Sequence, residues 1–301
     1  MIRRACFATA LAFCASTAFG ASTYDHLYAF GDSYSDNGAG ATFTAQLVQQ
    51  KVKDAQALPG DLYWQGRWSN GPTAVEGLAA ALKAPLTDYA VGGAKSGHGN
   101  YYAWMMPARD TGVLGQVADY LKTARNHKAD PKALYFIFIS ANDFFEWADF
   151  SHPESVEALS ETSVSNIRSA TEQLIAAGAK RVMVVGSTDL SHVPAVVQGN
   201  QVEHAKHYQQ VLEQKLPVAL AALGPKTVTY FDHVAFSDAL RANPAANGFK
   251  DLDTPCQATY PDVKPVCADP DTHYFWDEWH PTRKVHALAA LAMLQTLGAK
   301  P

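Results

Sequence analysis

The chain has 301 residues, of which 48% are hydrophobic and 18% charged, with a formal net charge of −5. That balance is globular and excludes a disordered tail protein. It also argues against nucleic acid as a partner, because phosphate binding needs clustered Lys and Arg and none cluster here.

Residues 1–20 stand apart. Arg3 and Arg4 precede a run of small and apolar residues from Ala5 to Ala18, and Ala18 and Gly20 place small residues before Ala21. The pattern is that of a secretory signal peptide cleaved before Ala21, so residues 21–301 form the folded domain, periplasmic or secreted. The run is too short for a membrane span of about 20 residues. Cys6 and Cys14 leave with the leader. Cys256 and Cys267 remain as an even pair, which an oxidising compartment converts to a disulfide; two free buried thiols are the alternative.

The periodicity then predicts alternating strands and helices. Leu27–Phe30 reads as a strand, followed by a long loop over Asp36–Gly71. A helix over Pro72–Leu82 leads to a strand at Leu86–Ala90 and a second long loop at Gly92–Gly112. A helix at Val113–Arg125 precedes Leu134–Ile139, which is continuously apolar, as a strand covered on both faces should be. Helices follow at Val156–Ala177 and Val202–Leu223, with Gly178 and Gly224 as C-terminal caps. Strands lie at Arg181–Val185 and Thr227–Phe231. A third long loop, Asn243–Tyr274, ends before a helix at Arg283–Leu297. This alternation implies a parallel sheet with helices on both faces.

Ligands of such sheets bind at the carboxyl ends of the strands. Ser33 stands three residues after Phe30, the Gly92-Gly93 pair follows Ala90-Val91, and Asn142 stands three residues after Ile139. A hydroxyl, a backbone N–H and a carboxamide at one edge suit acyl transfer, in which donors hold a developing oxyanion. A serine hydroxyl needs a base, and the base needs an orienting acid. Asp277 and His280, three apart and followed by Pro281, supply both.

Four blocks in order resemble the GDSL esterase/lipase group of the SGNH-hydrolase superfamily. They are Phe30-Gly31-Asp32-Ser33-Tyr34-Ser35-Asp36-Asn37-Gly38, Tyr89-Ala90-Val91-Gly92-Gly93-Ala94, Ser140-Ala141-Asn142-Asp143 and Asp277-Glu278-Trp279-His280-Pro281-Thr282. Arg67-Trp68-Ser69-Asn70-Gly71-Pro72 also resembles a segment common in the group. The resemblance implies a three-layer α/β/α sandwich, flavodoxin-like, around a parallel sheet of about five strands. By position it makes Ser33 the nucleophile, His280 the base and then the acid, and Asp277 the orienting acid. It makes the Ser33 and Gly93 N–H groups and the Asn142 amide the oxyanion hole, with Gly92 as the fallback glycine. Tyr34, Ser140 and Asp88 depart from the group's usual Leu, Gly and Asn. The remaining histidines show no metal-ligand spacing, so neither metal nor cofactor is expected.

Exported members with a Phe275-Trp276-Asp277-x-x-His280 ending are similar to lysophospholipases, glycerophospholipid–cholesterol acyltransferases and a secreted choline esterase. Trp279 and Trp276 are therefore candidate substrate-binding residues, since an indole face holds a quaternary ammonium by about 0.5–2 kcal/mol. Packing of both indoles against the sheet is the competing reading. The expected reaction is hydrolysis of a lysophospholipid or a short-chain or choline-type ester through an acyl-enzyme, the partner being a small-molecule or membrane-derived lipid ester. Acyl transfer to an alcohol and carbohydrate deacetylation on the same scaffold remain alternatives.

Overall fold

Leu134, Phe136 and Phe138 point to one face of the sheet and Tyr135, Ile137 and Ile139 to the other, and all six are buried. This explains the unbroken apolar run, because two separate cores need side chains from the same strand. The structure is a computed structural model that describes residues 24–150 and 152–298. The predicted leader, its cleavage point before Ala21 and Cys6 and Cys14 lie outside the described residues.

Five strands form the main sheet: β1 (Leu27–Gly31), β2 (Leu86–Asp88), β3 (Leu134–Phe138), β4 (Val182–Val185) and β5 (Val228–Phe231). They run parallel in the order β2-β1-β3-β4-β5. β1 and β3 pair in register from Leu27 with Leu134 to Gly31 with Phe138. The helices in chain order are α1 (Ala39–Gln49), α2 (Ala74–Leu82), α3 (Val113–Thr123), α4 (Ala141–Phe150), α5 (Val156–Ala177), α6 (Pro194–Gln198), α7 (Val202–Ala221), α8 (His233–Ala242) and α9 (Arg283–Thr296). One core packs α3, α5 and α7 on the sheet through Val117, Ile167, Leu174, Tyr208 and Leu212. The other packs α2 and α9 through Val75, Leu78, Met293 and Leu294. The three layers expected from the resemblance are present.

Helix ends follow local chemistry. Ser155 Oγ accepts from the Ala158 N–H at 3.2 Å to start α5, and Gly178 closes it with a φ of 120°. Glu76 in the first turn of α2 accepts from the Thr73 N–H at 2.9 Å, the backward half of a capping box.

Two of the three predicted loops need correction, while Gly92–Gly112 carries only a short 3-10 turn at Ala103–Met105. Asp36–Gly71 contains α1, whose buried residues are Gly40, Thr44 and Leu47, too small and polar to give a clear apolar period. Asn243–Tyr274 contains β6 (Asp251–Pro255), which pairs with β7 (His273–Phe275) in a separate two-stranded sheet. Exposed acids make β6 unlike a buried strand. The segments after β3 and β5 carry α4 and α8, also absent from the sequence reading. Cys256 and Cys267 are joined in the expected disulfide. No described helix is long and apolar enough to cross a membrane.

Candidate active site

Ser33 sits in a tight turn just past β1. The Asp32 carbonyl accepts the N–H groups of Ser35 at 3.0 Å and Asp36 at 2.9 Å, which throws the chain off the strand and leaves Ser33 at the sheet edge. Gly31 is required by close approach, for a Cβ there would lie 2.5 Å from the Phe138 carbonyl oxygen. Gln116 of α3 grips the same glycine twice: its Nε2 donates to the Gly31 carbonyl at 2.8 Å and its Oε1 accepts the Gly31 N–H at 2.9 Å.

The last block forms a closed loop beside it. Phe275 bridges to Pro281, and the Trp276 N–H donates to the His280 carbonyl at 2.7 Å. Inside this loop the Asp277 carboxylate accepts from the backbone N–H groups of Trp279 at 2.8 Å and His280 at 2.6 Å. His280 Nδ1 lies 2.7 Å from Asp277 Oδ2, and His280 Nε2 lies 2.9 Å from Ser33 Oγ. Asp277 is fully buried, and Ser33 and His280 nearly so. The structure thus brings together three residues of which two are 247 positions apart.

The Arg67–Pro72 segment braces this loop. Ser69 Oγ donates to the Pro281 carbonyl at 2.7 Å, Asn70 Oδ1 accepts the Arg283 N–H at 2.7 Å, and Trp68 packs 5.2 Å from the His280 ring. The disulfide-closed segment braces it from the other side. Glu278, fully buried, accepts from the Thr259 N–H at 2.9 Å and the Thr259 hydroxyl at 2.6 Å.

Asp36 ties the first block to the second. Its carboxylate accepts the N–H groups of Gly38 at 2.9 Å, Gly40 at 3.1 Å and Gly92 at 2.9 Å. The Gly92 N–H is therefore occupied, while Gly93 lines the cavity beside Ser33. Gly93 has a φ of 81°, and a Cβ there would fall 2.4 Å from Asn100 Oδ1. Asn142, in the first turn of α4, donates from Nδ2 to the Ala94 carbonyl at 3.0 Å and also lines the cavity, with the second amide hydrogen still to place.

Burial sets the nearby acids. It pushes Asp32 up to about 7 and Asp143 up to about 6, and it holds the Asp88 carboxyl well above the usual range. Asp88 accepts the N–H groups of Ala90 and Asn37, a role the usual Asn would also fill through its amide oxygen. Burial holds His233 down to about 4 and His286 down to about 3, so both stay neutral behind the site.

The cavity is about 380 Å³. Leu58, Pro59, Tyr63, Trp68, Tyr101, Tyr102, Phe145 and Trp279 supply its apolar wall, and Asp149 stands in it as a carboxylate. Trp276, read with Trp279 as substrate-binding, does not line it. Its own backbone is drawn into pairing, its N–H on the His280 carbonyl and its carbonyl on the Gln257 N–H, and the residue is buried. Tyr63, Gln116 and Asp149 are site residues the sequence reading did not assign. Each acts on a partner far away in the chain, and no local motif marks them.

Such a site can raise the nucleophilicity of Ser33 and stabilise an oxyanion, the needs of acyl transfer. A thermolabile hemolysin of Vibrio parahaemolyticus is 30% identical over 288 residues, covering 89% of this chain; the chain spans 62% of the hemolysin's length. GDSL esterase/lipase At1g74460 of Arabidopsis thaliana is 25% identical over 331 residues, covering 89% of this chain and 86% of its own. A GDSL-like lipase structure from Parabacteroides merdae shares the fold, with a TM-score of 0.51 and 13% identity over 92% of this chain and 98% of its own. With residues 27–293 matching the GDSL-like Lipase/Acylhydrolase model, the chain belongs to that family of ester hydrolases.

Proposed function

We propose that this chain is an exported serine esterase that cleaves a lysophospholipid or a short-chain or choline-type ester through an acyl-enzyme. The observation that carries the reading is the Ser33–His280–Asp277 relay opening into an aromatic cavity that contains one carboxylate, Asp149. Ser33 Oγ attacks the ester carbonyl while its proton passes to His280 Nε2. Asp277 holds and stabilises the imidazolium at Nδ1. The Ser33 and Gly93 N–H groups and the free Asn142 amide hydrogen receive the oxyanion. His280 returns the proton to the departing alcohol, leaving Ser33 acylated. Water then loses a proton to His280, attacks the acyl carbon and releases the acid.

The alcohol side is argued from the cavity wall. Trp279, Tyr101 and Tyr102 offer aromatic faces, and Asp149 offers a countercharge, which together suit a quaternary ammonium. Similarity to a protein named for hemolysis supports a lipid ester over a sugar ester. Export is supported by the Arg3–Gly20 pattern and by the disulfide, since such bonds persist in oxidising compartments.

The test is one panel: acetylcholine, neutral acetate esters, lysophosphatidylcholine and acetylated xylan, with the wild type and Ser33→Ala. The reading expects turnover of the choline-bearing esters that Ser33→Ala abolishes. Turnover of acetylated xylan alone would move the substrate to carbohydrate, and an active Ser33→Ala would remove the relay.

A further inference from the structure

Asp277 is fully buried, and the protein donors to its carboxylate can be counted. Three come from its own turn: the Trp279 N–H, the His280 N–H and His280 Nδ1. The fourth comes from 214 positions away, where the Tyr63 hydroxyl donates to Oδ2 at 2.6 Å. Oδ2 is the same oxygen that holds His280 Nδ1.

Tyr63 is itself held. Its N–H donates to the Gly60 carbonyl at 3.2 Å, and its ring lies 5.6 Å from Trp68, which packs on His280. Leu58, Pro59 and Gly60 of the same segment form part of the cavity wall, as does Tyr63.

We propose that Tyr63 is a positioning residue of the esterase: its hydroxyl fixes the Asp277 carboxylate, and through it the His280 ring, and links both to the cavity wall at 58–60. The inference rests on the reading of Ser33, His280 and Asp277 as the catalytic relay.

The chemistry has one direction. A carboxylate cannot donate, so the phenol must. Burial and the carboxylate beside it push the Tyr63 ionisation up, which keeps the hydroxyl a donor at any working pH. A donor on Oδ2 fixes the carboxylate in the one orientation that also holds His280 Nδ1. Without it the carboxylate is free to turn, and the His280 ring loses the fixed orientation that attack by Ser33 requires. Tyr63 is the side chain from outside the turn that donates to Asp277 among the described hydrogen bonds.

The test uses the full chain as wild type, Tyr63→Phe, Asp277→Asn and the double variant, with p-nitrophenyl acetate as substrate and thermal melting as a fold control. Tyr63→Phe keeps the ring and is expected to lower kcat roughly ten-fold with little change in KM. In the Asp277→Asn background the same change should alter the rate by no more than about two-fold. An equal ten-fold loss in both backgrounds would assign Tyr63 a merely structural role and overturn the proposal, as would a Tyr63→Phe enzyme with wild-type kcat. Ser33→Ala separates the two readings. If it is active, the relay itself fails; if it is inactive and Tyr63→Phe is unchanged, only the role of Tyr63 fails.

Discussion

The Tyr34 hydroxyl donates to the Trp279 carbonyl oxygen at 2.9 Å, joining the residue after the nucleophile to the residue before the base. The group's usual Leu cannot make this bond. Tyr34 is buried, with its ring 6.0 Å from His280 and 6.2 Å from His286. Tyr34→Phe should leave the Trp279 carbonyl short of a donor, cost about 1 kcal/mol of stability and lower kcat several-fold. Denaturant unfolding and steady-state kinetics on the same sample check both. An unchanged midpoint and rate would show that the bond is idle.

Ser140 carries a second departure from the group, and its backbone explains the usual residue. Its φ is 147°, in the region that favours glycine, and its buried Oγ has no hydrogen-bond partner. Ser140→Gly should relieve both and stabilise the protein by about 1 kcal/mol, or about 2 °C in Tm. The backbone carbonyl that accepts the Tyr208 hydroxyl at 3.0 Å is untouched by the change. A lower Tm would show that the serine fills needed volume.

His233 is fully buried behind the site, and burial holds it down to about 4 from 6.5. The unfolded chain therefore takes up a proton below pH 6.5 that the folded chain refuses until about pH 4. Its contribution to stability is complete above pH 6.5 and is lost as pH falls to about 4, by about 3 kcal/mol. Asp32, held up to about 7, works the other way and loses stability as pH rises from about 4 to 7. The two slopes oppose, so the difference between wild type and variant is the useful measurement. Between about pH 7 and pH 4, His233→Leu should lose about 3 kcal/mol less than the wild type. Parallel pH profiles would show that His233 is protonated in the fold.

Glu278 links the disulfide to the catalytic loop through Thr259. Replacing Cys256 and Cys267 with Ser should cost about 3 kcal/mol by the loop-closure argument. It should also lower kcat, because the Asp277–His280 turn loses a brace. Melting and turnover of the double variant test this, and loss of stability with unchanged turnover would separate the loop from the site.

Trp279→Ala should weaken choline esters more than neutral esters of equal acyl length, by about ten-fold in KM for a contact worth 1–2 kcal/mol. Asp149→Asn should do the same through charge. Equal losses on both ester types would remove the ammonium reading.

The legible part of this molecule was of two kinds. Leu134–Ile139 announced a buried central strand because both cores draw on it, and Ser33, Gly93, Asn142, Asp277 and His280 stood in short blocks with distinctive residue types. What stayed hidden depends on distant partners. Tyr63 looked like one more loop aromatic until Asp277 lay beside it. Gln116 sits in a helix whose pattern only asks for burial on that face. α1 buries glycine and threonine, and β6 is stabilised by β7 rather than by its own apolar residues.

Ser33 and His280 lie near opposite ends of the described chain, and α9, which follows the His280 loop, packs against α2 on one face of the sheet. A growing chain therefore carries its nucleophile for most of its synthesis with no base to activate it. Because the relay needs residues from both ends of the described chain, turnover is itself a readout of complete assembly.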